Sequence, residues 1–278
     1  MRYIPLLENG VKPPEAWCKK ADELKKQICQ ETDCQKRREL IEKNRKHWND
    51  LADWLRQISH NKCWYTEAQI TADYPEVDHY RPKKESLGRD GTKIHDGYYW
   101  MAFDWTNFRL SKAVPNRKKG AYFPLRDNAR AVCEPNGPIY DELPYLLDPI
   151  KKYDCLLLSF TEDGRPCPAP DAEEWDRLRT EYSIERYKLD YGPLNDARKT
   201  VWQTCLSLFN EWLRCKRECN KIGSAAMSAR VDEKLDQFGK LLREESPFSM
   251  VAITCLLSTG NPTIQRFAMA AMHSPKTH

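Results

Sequence analysis

Helical periodicity runs through both ends of this 278-residue chain and stops in the middle. Over residues 14–58 apolar side chains recur at roughly helical spacing: Trp17, Ala21, Leu24 and Ile28, then Leu40, Ile41, Trp48, Leu51 and Leu55. Pro13 and Pro14 open this stretch, where proline suits a first turn. Glu31-Thr32-Asp33 interrupts it with capping residues, so two helices forming a hairpin are expected. From Asp171 to about Ala271 the pattern is helical again, divided at Gly192-Pro193, Gly223-Ser224, Pro247 and Gly260-Asn261-Pro262. Between the two helical ends, residues 60–125 gather aromatics, prolines and glycines in short strands and loops. Residues 126–170 continue irregular, punctuated by prolines. The expected class is α+β, mostly α. Its four regions are an N-terminal helical one (1–59), a small mixed module (60–130), an acidic, proline-rich segment (131–170) and a C-terminal helical one (171–278).

No stretch approaches the roughly 20 apolar residues of a membrane span, and Met1 to Pro13 lacks a signal-peptide pattern. A cytoplasmic protein without a membrane role is expected. The eleven cysteines are odd in number, spread along the chain and never in Cys-x-x-Cys pairs. Reduced thiols fit that usage better than a disulfide framework, and most are expected to be small core residues. The formal net charge is only +4, but it is unevenly placed. Residues 81–133 carry 12 Lys/Arg against 5 Asp/Glu, whereas residues 134–196 carry 7 against 15. A basic block followed by an acidic one suggests a polyanion site and a separate docking surface.

The chemistry concentrates in Pro75-Glu76-Val77-Asp78-His79-Tyr80-Arg81-Pro82. Adjacent Asp and His at the end of an extended run present their side chains to opposite faces. Asp78 is a hard oxygen ligand suited to Mg²⁺, and a neutral His79 suits proton abstraction near pH 7. Asn107 sits in Asp104-Trp105-Thr106-Asn107-Phe108-Arg109-Leu110, whose alternation reads as a second strand. Asn116 follows in Pro115-Asn116-Arg117-Lys118-Lys119-Gly120, where proline would open a short helix.

Asp-His, then Asn, then Asn on a helix resembles the HNH, or ββα-metal, endonuclease finger. Lys62-Cys63-Trp64-Tyr65, Val77 to Lys83, Tyr99 to Asn107, and Asn116 to Gly120 with Phe123-Pro124-Leu125 narrow the likeness. Together they resemble the HNH nuclease subunits of Septu-type and retron-associated anti-phage systems. The likeness continues through Leu147-Asp148-Pro149, Phe160 and Gly164 into Ser183-Ile184, Leu189 and Arg198, covering roughly residues 1–200 and leaving the last eighty or so residues unmatched. That family carries a structural zinc on two Cys-x-x-Cys pairs. Here the corresponding positions read Cys63-Trp64-Tyr65-Thr66 and Lys112-Ala113-Val114-Pro115, so structural zinc is not expected. Packing of Trp64, Tyr65, Trp100, Phe103 and Trp105 would hold the finger instead.

The resemblance implies a metal-dependent nuclease that hydrolyses phosphodiesters, DNA favoured, as an anti-phage effector. Asp78 and Asn116 would hold Mg²⁺ or Mn²⁺, His79 would be the general base, and Asn107 would brace the loop bearing His79 and orient its imidazole. Arg81, Lys83, Lys118 and Lys119 would grip the nucleic-acid backbone. A large ATPase partner is implied as well, docking on the acidic block or the C-terminal helices. Two alternatives stay open: a nuclease on structured RNA such as tRNA, and an inactive HNH scaffold that binds nucleic acid or a partner protein.

Overall fold

The computed structural model describes residues 1–8, 10–71 and 74–273. Four helices come first: α1 (Glu15–Gln30), α2 (Cys34–Lys43), α3 (Arg45–Asn49) and α4 (Ala52–Ile58). Helix α1 buries Trp17, Ala21, Leu24 and Ile28, the stripe expected from the spacing. Asp33 caps α2, its carboxylate accepting from the Lys36 N–H at 2.8 Å. The second helix of the expected hairpin is three shorter ones. Its first break falls at Asn44, whose side-chain amide donates to the Leu40 carbonyl at 2.9 Å and so competes with the helical ladder.

The middle of the chain holds β1 (Glu76–His79), β2 (Ser86–Leu87), β3 (Lys93–His95), β4 (Phe108–Ser111) and α5 (Ala113–Lys119). Strands β1 and β4 pair antiparallel, with Val77 opposite Leu110, Asp78 opposite Arg109 and His79 opposite Phe108. Only Lys112 separates β4 from α5, so the helix folds straight back over the two-stranded sheet. Strands β2 and β3 form a separate hairpin. Asn107 closes a 3-10 turn (Trp105–Asn107) and is not in the strand as expected. The Asp104 carboxylate takes the Thr106 N–H at 3.0 Å and its hydroxyl at 2.6 Å, which fixes a turn where alternation alone suggested extension. Pro115 is the third residue of α5 and does not open it.

The N-terminal helices back this unit. Trp17 donates its indole N–H to the His47 carbonyl at 2.7 Å and sets its ring edge-on to Phe108. Trp48 packs against His79 and Phe103. Trp64, Tyr65, Trp100 and Phe103 are buried, while Trp105 is half-buried against Trp54.

The remainder runs α6 (Lys152–Leu156), β5 (Leu158–Phe160), β6 (Pro166–Pro168), α7 (Glu174–Arg186), α8 (Gly192–Ile222), α9 (Ala225–Leu242), α10 (Ser249–Ser258) and α11 (Pro262–His273). The helix divisions fall at the glycines and prolines. Gly223 ends α8 in the left-handed region (φ 65°), and Ser224 caps α9 by accepting from the Met227 N–H. Residues 274–278 of the expected C-terminal region lie outside the described residues. Glu67 ties this region to the middle module, accepting from the Ser249 hydroxyl and the Met250 N–H at 3.2 Å each, at the N-terminus of α10. Lys62 donates to the Glu244 and Ser246 carbonyls.

One expectation needs correction. Of the eleven cysteines, all free thiols, only Cys63, Cys155, Cys205, Cys215 and Cys255 are buried. The acidic block spends some of its carboxylates inside the fold. Its Glu142 pairs with Arg81, its Asp148 forks onto Arg109 at 2.7 Å on both oxygens, and Asp154 and Asp176 hold Arg179. Part of one charge block thus neutralises part of the other inside the fold. Among the described residues no helix is long and apolar enough to cross a membrane.

Candidate functional site

Because β1 ends in consecutive Asp and His, their side chains leave the strand on opposite faces. Asp78 faces α5. Its Oδ1 accepts from the Lys119 ammonium at 3.0 Å, and its Oδ2 from the Tyr65 hydroxyl at 2.5 Å. Burial, with the Asp78 charge beside it, raises the Tyr65 phenol far above its ordinary range, so it remains a donor. Lys119 also donates to the His79 carbonyl at 2.6 Å and is completely buried. Burial lowers its basicity, and the Asp78 carboxylate opposes that shift.

His79 faces the N-terminal helices, its ring edge-on to Trp48 and Phe108. Its Nε2 lies 2.8 Å from the Ala102 carbonyl, an acceptor only, so that nitrogen carries the proton. Nδ1 then bears the lone pair, with the Lys83 ammonium 3.3 Å away. Burial, then the positive charge of Lys83, holds the imidazole well below its usual pKa. It is therefore neutral at pH 7, as a proton acceptor must be. Burial also pulls Lys83 down to about 8, against the opposing pull of Glu42 and Asp78. Its ammonium lies over the Trp48 ring at 4.7 Å.

Asn107 is buried and clamps the peptide of Arg81, two residues past His79. Its Oδ1 accepts the Arg81 N–H at 2.8 Å, and its Nδ2 donates to the Arg81 carbonyl at 2.9 Å. It thus holds the chain that carries His79 and does not touch the imidazole, which Ala102 orients. Asn116, half-exposed on α5, donates its Nδ2 to Glu76 at 2.7 Å, while its Oδ1 accepts no hydrogen bond among the described residues. Asp78, His79, Lys83 and Asn116 all line one cleft of about 290 Å³.

The expected phosphate-gripping residues divide. Lys118 is exposed and Lys83 half-buried on the cleft. Lys119 and Arg81 are corrected: both are committed inside the protein. Lys119 is the counter-ion of Asp78, and Arg81 is spent on Glu142 at 3.0 Å and the Ile139 carbonyl at 3.1 Å. Two contributors, Glu76 and the Ala102 carbonyl, escaped the sequence-based reading, and Lys119 was expected in another role. Glu76 shares the Asp78 face two residues earlier, and Lys119 lies one helical turn beyond Asn116; both spacings were available as signals. Nothing in the sequence pointed to the Ala102 carbonyl.

Among the described residues no group of three His, Cys, Asp or Glu side chains converges. The donors that are present still suit a hard cation. Asp78 uses two of its roughly four lone-pair directions, and Asn116, whose Oδ1 accepts no hydrogen bond among the described residues, lines the same cleft. Two such oxygens would leave most of an octahedral shell to water and phosphate. The Lys119 ammonium competes for the same carboxylate. At the positions corresponding to the zinc pairs, Cys63 and Lys112 are adjacent, with the Lys112 N–H donating to Cys63 Sγ at 3.4 Å.

Over 151 residues the chain is 32% identical to the Septu protein PtuB of Bacillus mycoides (strain KBAB4). That stretch is 53% of this chain and 49% of the relative. The chain spans about half the length of the curated relative it matches, and no family model matches it.

Proposed function

We propose that this chain is an HNH-type endonuclease subunit of a Septu-type anti-phage system, hydrolysing nucleic-acid phosphodiesters with DNA as the favoured substrate. One observation carries the proposal: β1, β4 and α5 bring Asp78, His79 and Asn116 to one cleft, while Asn107 locks the peptide just beyond His79. The similarity to a Septu protein supports the defence setting.

In the proposed reaction His79 accepts the proton of the attacking water at Nδ1, the nitrogen left bare by the Nε2–H bond to Ala102. Lys83 must first leave Nδ1, and a phosphate entering the cleft gives its ammonium an alternative partner. Asp78 and Asn116 are the residues that would hold Mg²⁺ or Mn²⁺. When bound, such an ion supplies charge neutralisation at the phosphate and the leaving oxygen. Asn107 keeps the His79 loop from shifting, and Lys118 meets the backbone outside the cleft. The implied ATPase partner would dock on the C-terminal helices or on the acidic block, some of whose carboxylates are consumed internally.

A second possibility, the inactive scaffold, draws on the Lys119–Asp78 and Lys83–His79 contacts, which occupy the two groups the chemistry needs. Plasmid nicking with Mg²⁺ or Mn²⁺, comparing wild type with His79→Ala, separates the two. Loss of nicking in the variant supports the nuclease, and equal activity in both proteins refutes the assigned mechanism. Running tRNA beside plasmid decides the substrate.

A further inference from the structure

A second, larger cleft of about 580 Å³ lies where the β2–β3 hairpin and residues 125–128 meet α7. Its volume is that of a small-molecule site. Arg89, Arg126 and Arg186 all line it, and each guanidinium rests on an aromatic ring: Arg89 on Tyr145 at 4.9 Å, Arg126 on Trp175 at 5.1 Å, Arg186 on Tyr122 at 3.9 Å. A guanidinium backed by a ring on one face keeps its other face and its N–H edge for a ligand, as Arg89 and Arg126 do, whereas Arg186 also has the Tyr182 ring at 5.7 Å. The two acids in the lining already have donors. Asp90 holds the Thr92 N–H and hydroxyl, and Glu185 accepts from Arg186 at 3.3 Å. Arg126 makes no side-chain hydrogen bond among the described residues, and Arg89 makes one long one, 3.4 Å to the Tyr145 hydroxyl.

An independent observation comes from Tyr182. It is 7% exposed, lines this cleft, and its buried hydroxyl has no hydrogen-bond partner among the described residues. A buried hydroxyl without a partner costs free energy unless something enters to meet it.

We propose that this cleft binds a nucleotide unit, its phosphate on Arg89 and Arg126 and its base against the free guanidinium faces. Guanidinium forks recognise phosphate, and planar cations stack on bases without reading sequence. The unit can come from a free mononucleotide or from a strand. The second source is open because the cleft adjoins the first. Leu87 bonds to both Ala121 and Phe123, so residues 121–125 run directly from one cleft to the other, at most about 13 Å in extended chain.

The site does not depend on the nuclease proposal, because binding is measured without turnover. The full chain carrying His79→Ala is titrated in EDTA with adenosine 5′-monophosphate, with inorganic phosphate, and with a short fluorescein-labelled single-stranded DNA. Arg89→Glu and Arg126→Glu, both exposed side chains, are compared with the parent, and Tyr182→Phe removes only the unpartnered hydroxyl. Each charge reversal is expected to weaken binding about tenfold or more. A loss seen with the mononucleotide assigns a free-nucleotide site. A loss confined to the oligonucleotide, with a shallower salt dependence, assigns a strand subsite. If both reversals bind both ligands within twofold of the parent, or if inorganic phosphate binds as tightly as the mononucleotide, the proposal is overturned. Loss of nicking in His79→Ala bears on the other cleft alone.

Discussion

Replacing Lys119 by Met removes the ammonium that neutralises Asp78 while keeping a side chain of similar length. Lys119 is wholly buried, 3.0 Å from Asp78 Oδ1 and 2.6 Å from the His79 carbonyl; Asp78 is 4% exposed and would retain only the Tyr65 hydroxyl. Removing one member of a buried ion pair leaves an uncompensated charge, at a cost of about 3–5 kcal/mol. For a chain this long each kcal/mol moves Tm by about 2 °C, so calorimetry in EDTA should show Tm falling by roughly 6–10 °C. The same change frees the carboxylate for a cation. Mn²⁺ at a hundredfold excess over Kd would restore about 2.7 kcal/mol to the variant, and the variant should respond to Mn²⁺ more than wild type does. A variant within 2 °C or so of wild type in EDTA, with no added response to Mn²⁺, would refute both the buried pair and the shared carboxylate.

Further outcomes follow from the same geometry. Asn107→Ala leaves the Arg81 N–H and carbonyl without their partners. It should cost about 2–4 kcal/mol in urea unfolding and depress nicking more than substrate binding. His79 has its folded pKa lowered by burial, so below the unfolded value near 6.5 the unfolded chain takes up the proton first. Stability should therefore be full above pH 6.5 and decline as pH falls below it, a loss that His79→Gln should reduce; pH-dependent unfolding of the pair checks this. Gly97 has φ +78°, and a Cβ there would lie 2.6 Å from the Lys84 and Glu85 backbone nitrogens. Gly97→Ala should displace the Lys84–Glu85 backbone, which lines the cleft of Asp78 and His79, and lower Tm by several degrees, measured by scanning calorimetry.

Most of the helical architecture was legible from residue spacing, because helix faces and their stops are local properties. Trp17, Ala21, Leu24 and Ile28 lie where period predicts, and Gly223-Ser224 ends one helix and caps the next. Local competition escaped that reading. Asn44 bonding to Leu40, and Asp104 bonding to Thr106, turned an expected helix and an expected strand into shorter pieces.

The candidate site divides along the same line. Order and residue type were enough to single out Asp78, His79, Asn107 and Asn116, since the chemistry depends on what those side chains can donate or accept. Which cations are free to meet a substrate was decided by the tertiary structure. Arg81, Lys83, Lys118 and Lys119 look alike in sequence, yet packing buries Lys119 on Asp78, binds Arg81 to Glu142, sets Lys83 against His79 and leaves Lys118 exposed. Burying a charge without its opposite is costly, and for Lys119 and Arg81 those opposites come from distant parts of the chain that only folding brings together.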